Sequence, residues 1–213
     1  EYLRHALDYP QPREQRACIL TNISIVDRLG MRIADSMAHI QEAVKLGPKL
    51  QVAHLNRVIC ADLDPASGPE AQLKYRKAYS ATLVHRSRKF PQKNRDRGRP
   101  IKVGYVSGNF AEHSAAYAFQ PIIAGHSPAV EPICYSTWQQ DAATARFQQP
   151  GVHWVDARGW TTEQLLRRIV GDDIDILVDL AGHTAGGQLP VFAQRAAPIQ
   201  VTAWGYALTT GLP

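Results

Sequence analysis

The period of the apolar residues changes near residue 100, and this change limits what the chain can fold into. Ahead of it, apolar side chains recur every three or four residues, the spacing of one helix face. After it they fall into short β-branched and aromatic runs: 101–106 (IKVGYV), 131–136 (EPICYS), 152–155, 174–180 (IDILVDL) and 199–204 (IQVTAW). Between the runs lie segments with helical signals. These are 115–126 with Pro121 inside, 141–149 headed by Asp141, 161–170 with Thr161 and Gln164 at capping-box spacing, and 188–195 interrupted by Pro190. Strands alternating with helices predict an α/β fold, a parallel sheet covered by helices on both faces. The chain therefore reads as an all-α part followed by an α/β part.

The helical part shows four segments. In 13–29, Ile19, Ile23 and Val26 share a face, and in 31–46 so do Ile33, Met37, Ile40 and Val44. Val52, Leu55 and Ile59 mark a third helix. Tyr75, Tyr79, Leu83 and Phe90 predict a longer fourth one starting near Pro69 and Glu70. Gly30, Gly47-Pro48 and Asp64-Pro65 punctuate the set. Short helices in series suggest stacked helical hairpins. The stretch AVKLGP (43–48) resembles the end of a tetratricopeptide repeat, although no strict repeat of that length is visible. Helix packing accounts for Met31, Met37, His39 and His54. A basic, proline-flanked segment, 86–99, holds a run of Lys and Arg against the single acid Asp96. It reads as a solvated junction between a helical region, 1–97, and an α/β region, 98–213.

Composition narrows the function classes. No apolar run approaches the roughly 20 residues of a membrane helix, so no membrane partner is expected. The first ten residues have neither the basic start nor the apolar core of a signal peptide. Cys18, Cys60 and Cys134 are odd in number and lack CxxC spacing, which fits reduced thiols in a cytoplasmic protein. The net charge of +5 is concentrated at the junction, but no aromatic stacking series or zinc spacing accompanies it, which argues against nucleic acid.

In a parallel sheet, ligands bind beyond the carboxyl ends of the strands. Three polar, glycine-bearing loops fall there: 108–114 (GNFAEHS), 181–187 (AGHTAGG) and 205–211 (GYALTTG). None carries a GxGxxG, Walker A or GxSxG pattern. His113 and His183 have no carboxylate or cysteine at matching spacing, so no metal is expected. The loops instead suit a polar ligand such as a sugar or a sugar diphosphate. Glycines admit close backbone approach, and Thr184, Tyr206, Thr209 and Thr210 supply hydroxyls. A neutral histidine such as His113 can accept a proton from a hydroxyl, or it can simply bind loop backbone.

Together the loops resemble those of the bacterial relatives of the protein O-linked N-acetylglucosamine transferases, the SPINDLY-like group. The matching stretches are KVGYVSGNFAEHS (102–114), ILVDLAGHTAGGQLPVFAQRAAPIQVTAWGY (176–206) and GYALTTGLP (205–213). The resemblance implies a two-Rossmann, B-type architecture of which 98–213 is the first, Rossmann-like half, preceded by helical repeats. It implies an inverting, metal-independent transfer of N-acetylglucosamine from UDP-N-acetylglucosamine to Ser/Thr hydroxyls of an acceptor protein or peptide. No cofactor is implied, since the nucleotide sugar is a substrate. The role of base falls on His113, and substrate-pocket roles fall on His183, Thr184, Gly205, Tyr206, Thr209 and Thr210. The UDP-binding half is expected to follow Pro213. The sequence departs from the family pattern at Asn109, where Asp is usual, and at Ala207-Leu208, where Pro-Gly is usual. Other readings are a non-catalytic helical scaffold, a related transferase using another nucleotide sugar, and an enzyme acting on a free sugar nucleotide.

Overall fold

The computed structural model describes residues 2–90 and 98–213. The middle of the basic junction, 91–97, lies outside the described residues. By internal contacts the chain divides into two units, Glu1–Leu83 with Thr209–Pro213, and Val84–Leu208.

The first unit is helical. After α1 (Tyr2–His5) and a 3-10 turn come α2 (Arg13–Leu29), α3 (Ile33–Leu46), α4 (Gln51–Leu63) and α5 (Pro69–Ser80). Each of α2 to α5 packs on the next. Leu20, Ile40, Ala43, Ala53, Cys60 and Ala61 form its core. Pro69 enters in the first turn of α5, where its missing N–H costs nothing.

The buried face of α2 is not the one the apolar spacing predicts. Val26 is 51% exposed, while Ala17, Leu20, Thr21, Ser24 and Asp27 point inward beside Ile23. Polar partners make this possible. Ser36 Oγ donates to the Ser24 carbonyl at 2.7 Å and lies 3.0 Å from Cys60 Sγ. The Asp27 carboxylate receives Arg32 at 2.8 and 3.0 Å, Arg4 at 3.0 Å and His39 at 2.9 Å. Burial alone would raise the Asp27 pKa; the Arg32 and Arg4 guanidinium groups overcome this and hold it below its ordinary value.

The fourth helix is shorter than its tyrosine spacing predicts: α5 stops at Ser80, and Phe90 is not helical. Thr82 explains the stop. Its hydroxyl donates to the Tyr79 carbonyl at 2.7 Å, and its N–H bonds the same carbonyl, closing a turn in place of another helical one.

The second unit is a five-stranded, all-parallel sheet of order β3-β2-β1-β4-β5. The strands are β1 (Ile101–Ser107), β2 (Val130–Ser136), β3 (His153–Asp156), β4 (Ile176–Asp179) and β5 (Ile199–Thr202). The connecting helices are α6 (Ser114–Ala124), α7 (Thr162–Gly171) and α8 (Leu189–Phe192), with a 3-10 helix at Ala142–Phe147. The capping box of Thr161 and Gln164 forms as the sequence predicts. Pro190 does not break its helix; it sits in the first turn of α8, which ends after Phe192.

The chain leaves β1 toward β2 and β3, then returns to β1's other side for β4 and β5. With right-handed crossovers this reversal places the connections on opposite faces of the sheet. It also opens a crevice outside the carboxyl ends of β1 and β4, the switch point where ligands of open α/β sheets bind. At the opposite end, Arg99 makes a two-pronged bond to Asp175 at 2.7 and 2.8 Å, and the same carboxylate accepts from Lys102 N at 3.0 Å. That clamp fixes the start of β1. No helix among the described residues is long and apolar enough to cross a membrane.

Candidate functional site

Two loops meet at the switch point. Loop 1, Gly108 to His113, follows β1. Loop 2, Leu180 to Gly187, follows β4. In the register of the sheet, Val106 of β1 stands beside Asp179 of β4, so both loops leave the sheet at the same level.

An apolar plug holds loop 1. The Phe110 ring is fully buried and stands edge-on to Phe147, Trp154 and Phe119, with centroids 5.1, 5.4 and 5.6 Å away. Thr144 Oγ1 donates to the Phe110 carbonyl at 2.7 Å. With Phe110 driven inward, the residues that follow turn outward, and His113 becomes the N-cap of α6. His113 is exposed, and its Nδ1 accepts from Ala115 N at 3.2 Å. A neutral imidazole with its lone pair committed at Nδ1 carries its proton on Nε2. As folded, the ring therefore presents an N–H at Nε2. Asn109 is buried, and its Nδ2 has no hydrogen-bond partner among the described residues.

Loop 2 is held by a polar cage. Asp179 is 1% exposed, and its carboxylate accepts from Ala181 N at 3.0 Å, Gly182 N at 3.0 and 3.1 Å, and Thr202 Oγ1 at 3.0 Å. Burial raises the Asp179 pKa, partly offset by these bonds. Gly182 has φ +57, and a Cβ there would lie 2.6 Å from the Tyr206 Cβ, so both the turn and the fit require glycine. His183 is buried, its ring 5.3 Å from that of Tyr206. Thr184 folds its hydroxyl back onto the Ala181 carbonyl at 2.7 Å. Gly205 passes so close to the Leu180 carbonyl that any side chain would collide with it.

The structure thus gathers His113, His183, Thr184, Gly205 and Tyr206 on the carboxyl edge of one sheet. The sequence also singled out Thr209 and Thr210. They belong to the segment Thr209–Pro213 of the helical unit, where Gly211 lies against the backbone of Arg76. Their hydroxyls accept from the N–H of Gly211 and of Leu212, both at 3.3 Å. Among the described residues no cluster of three or more His, Cys, Asp or Glu is placed to hold a metal ion.

The loop after β2 went unnoticed in the sequence. Thr137 N donates to the Ser107 carbonyl at 3.0 Å, and Thr137 Oγ1 donates to the Gly186 carbonyl at 2.7 Å. Asp141 Oδ2 accepts from Glu112 N at 2.9 Å. The segment thereby runs along loop 1 and reaches loop 2. Trp138, between Thr137 and Asp141, is 52% exposed. The rule that singled out the other loops, polar residues after a strand's carboxyl end, applies equally to EPICYS; the lack of a glycine there hid it.

The sequence model of the family described as glycosyl transferase family 41 matches residues 70–213. A probable UDP-N-acetylglucosamine–peptide N-acetylglucosaminyltransferase SPINDLY of Arabidopsis thaliana is 39% identical over 125 residues, 56% of this chain and 14% of that protein. The SPINDLY protein of Oryza sativa subsp. japonica is 40% identical over 121 residues, 54% of this chain and 13% of that protein. A solved mutant O-GlcNAc transferase of Thermobaculum terrenum superposes with a TM-score of 0.84 at 28% identity, covering 92% of this chain and 39% of that one. The chain thus matches a small part of the length of these curated relatives.

Proposed function

The chain belongs to glycosyl transferase family 41, and from that premise we propose that it is the acceptor-side part of an enzyme that moves N-acetylglucosamine from UDP-N-acetylglucosamine to Ser/Thr hydroxyls of proteins, with inversion. The observation that carries this reading is the meeting of loops 1 and 2 at the switch point. An exposed histidine stands on loop 1, and a glycine-lined wall is formed by His183 and Thr184 of loop 2 with Gly205 and Tyr206, which follow β5 and pack on loop 2. The SPINDLY relatives are named for the same donor and for peptide acceptors.

In this reading the acceptor oxygen attacks the anomeric carbon as the bond to the diphosphate breaks. UDP leaves, and the hydroxyl proton passes to His113. The geometry sets a condition on that step. With Nδ1 bonded to Ala115 N, the neutral ring carries its proton on Nε2 and cannot also accept one there. His113 must release the cap, at a cost of about 1 kcal/mol, so that Nδ1 carries the proton and Nε2 faces the acceptor. Asn109, neutral where the resembling family has Asp, adds no negative charge to favour the protonated ring. The two regions, helical 1–97 and Rossmann-like 98–213, are proposed to divide acceptor holding from chemistry, in a cytoplasmic protein.

The test uses the full-length protein, labelled UDP-N-acetylglucosamine and a Ser-containing peptide. Transfer by the wild type is expected to fall by roughly 100- to 10,000-fold in His113→Ala and equally in His113→Asn, which keeps a capping oxygen but no base. Equal rates in wild type and both variants sink the proposal.

A further inference from the structure

Trp138 is a large apolar side chain, half exposed, on a closely packed stem. Its Cβ is wedged against two glycines of different loops. A Cβ built on Gly108 would stand 2.9 Å from the Trp138 Cβ, and one built on Gly186 would stand 2.7 Å from it. The two glycines also approach each other, since the same built atom on Gly108 would lie 3.0 Å from the Gly186 Cα. No side chain larger than hydrogen fits between loops 1 and 2 here, and the Trp138 stem fills the space that remains. On either side of the stem, Thr137 and Asp141 bond to β1, loop 1 and loop 2, as described above. A closely packed stem holds the ring half in solvent, where its face is free to pack on a ligand.

The strand order decides what the ring faces. Across the carboxyl edge the side chains run Trp138 after β2, His113 after β1, His183 after β4, and Tyr206 after β5. Neighbouring strands stand about 4.8 Å apart. The proposed sugar pocket occupies the β4–β5 side, and the proposed base follows β1 at the start of α6. Inversion requires the incoming oxygen and the departing diphosphate to lie on opposite faces of the sugar. The acceptor chain that delivers its hydroxyl to His113 then extends over the remaining side, that of β2.

We propose that Trp138 is a specificity-determining residue of the acceptor site, packing its indole face on an apolar side chain next to the Ser or Thr that is modified. The inference rests on the transferase reading above. The ligand class is an extended peptide segment with an aliphatic neighbour to the acceptor hydroxyl. The diphosphate and the nucleotide lie away from the ring.

The experiment uses the full-length protein with two peptides that differ only beside the acceptor Ser, leucine in one and asparagine in the other. The wild type is expected to prefer the leucine peptide by about tenfold in kcat/KM, the scale of burying part of a leucine side chain. In Trp138→Ala that preference collapses toward unity through a rise in KM for the leucine peptide. Trp138→Phe, which keeps an aromatic face, retains most of it and guards against misfolding of the alanine variant. An unchanged preference in Trp138→Ala overturns the inference, as does equal loss on both peptides through kcat. A parallel rise in KM for the nucleotide sugar also overturns it, because the ring then serves the donor. Absence of transfer by the wild type overturns the transferase reading itself, and this inference with it.

Discussion

Loop 1 and loop 2 leave the same sheet edge at the same level, yet opposite physics holds them. A ring cluster around Phe110 anchors loop 1, which leaves His113 outside on a single weak cap. The buried Asp179 carboxylate and its three donors fix loop 2, and His183 stays inside. The proposed base thus sits where solvent reaches it. The proposed pocket-wall residue, His183, is instead buried.

Truncation of each anchor should therefore show different signatures. The largest effect is expected from Phe110→Ala, about 3–5 kcal/mol in urea unfolding, since it empties the centre of the ring cluster. A loss below 1 kcal/mol would mean that loop 1 is not held by that plug. Asp179→Ala should cost about 2–3 kcal/mol, because it strands the buried N–H groups of Ala181 and Gly182. Amide exchange at these positions should quicken well before that of β1, and parallel exchange would argue for one shared anchor.

The contrast also has a pH signature. Because burial raises the Asp179 pKa, its contribution to stability is greatest below the ordinary carboxylate value of about 4 and is lost as pH rises through the folded value. Relative to Asp179→Asn, the wild type should thus lose ground as pH rises above about 4. The Phe110→Leu difference should stay flat over the same range. In the helical unit the sign reverses. Asp27, lowered by Arg32 and Arg4 against its own burial, stabilises at neutral pH, and that contribution fades as pH falls below about 4. Amide exchange read separately on α2 and β4 checks both signs.

The smallest effect is expected at the cap. His113→Ala should cost about 1 kcal/mol and His113→Asn only a few tenths, although both abolish the proposed proton transfer. A stability loss in His113→Asn as large as that from Phe110→Ala would make His113 a structural residue, and would erase the difference between the loops.

The sequence by itself determined the change from helices to alternating strands and helices, because backbone periods of 3.6 and 2 leave their mark on apolar spacing. It also determined two of the loops, since glycines and a histidine after a β-branched run are local signals. It did not determine which face of α2 is buried. Ser24 and Asp27 turn inward only because Ser36, Arg4, Arg32 and His39, distant in sequence, complete their hydrogen bonds. The end of α5 was equally hidden, set by the hydroxyl of Thr82 against the tyrosine spacing. Strand order was decided by the tertiary structure alone. The reversal at β1 brings Gly108 of loop 1 against Gly186 of loop 2, with Trp138 packed on both. Local sequence encodes the conformation of a segment; which segments become neighbours depends on burying all of the apolar faces at once.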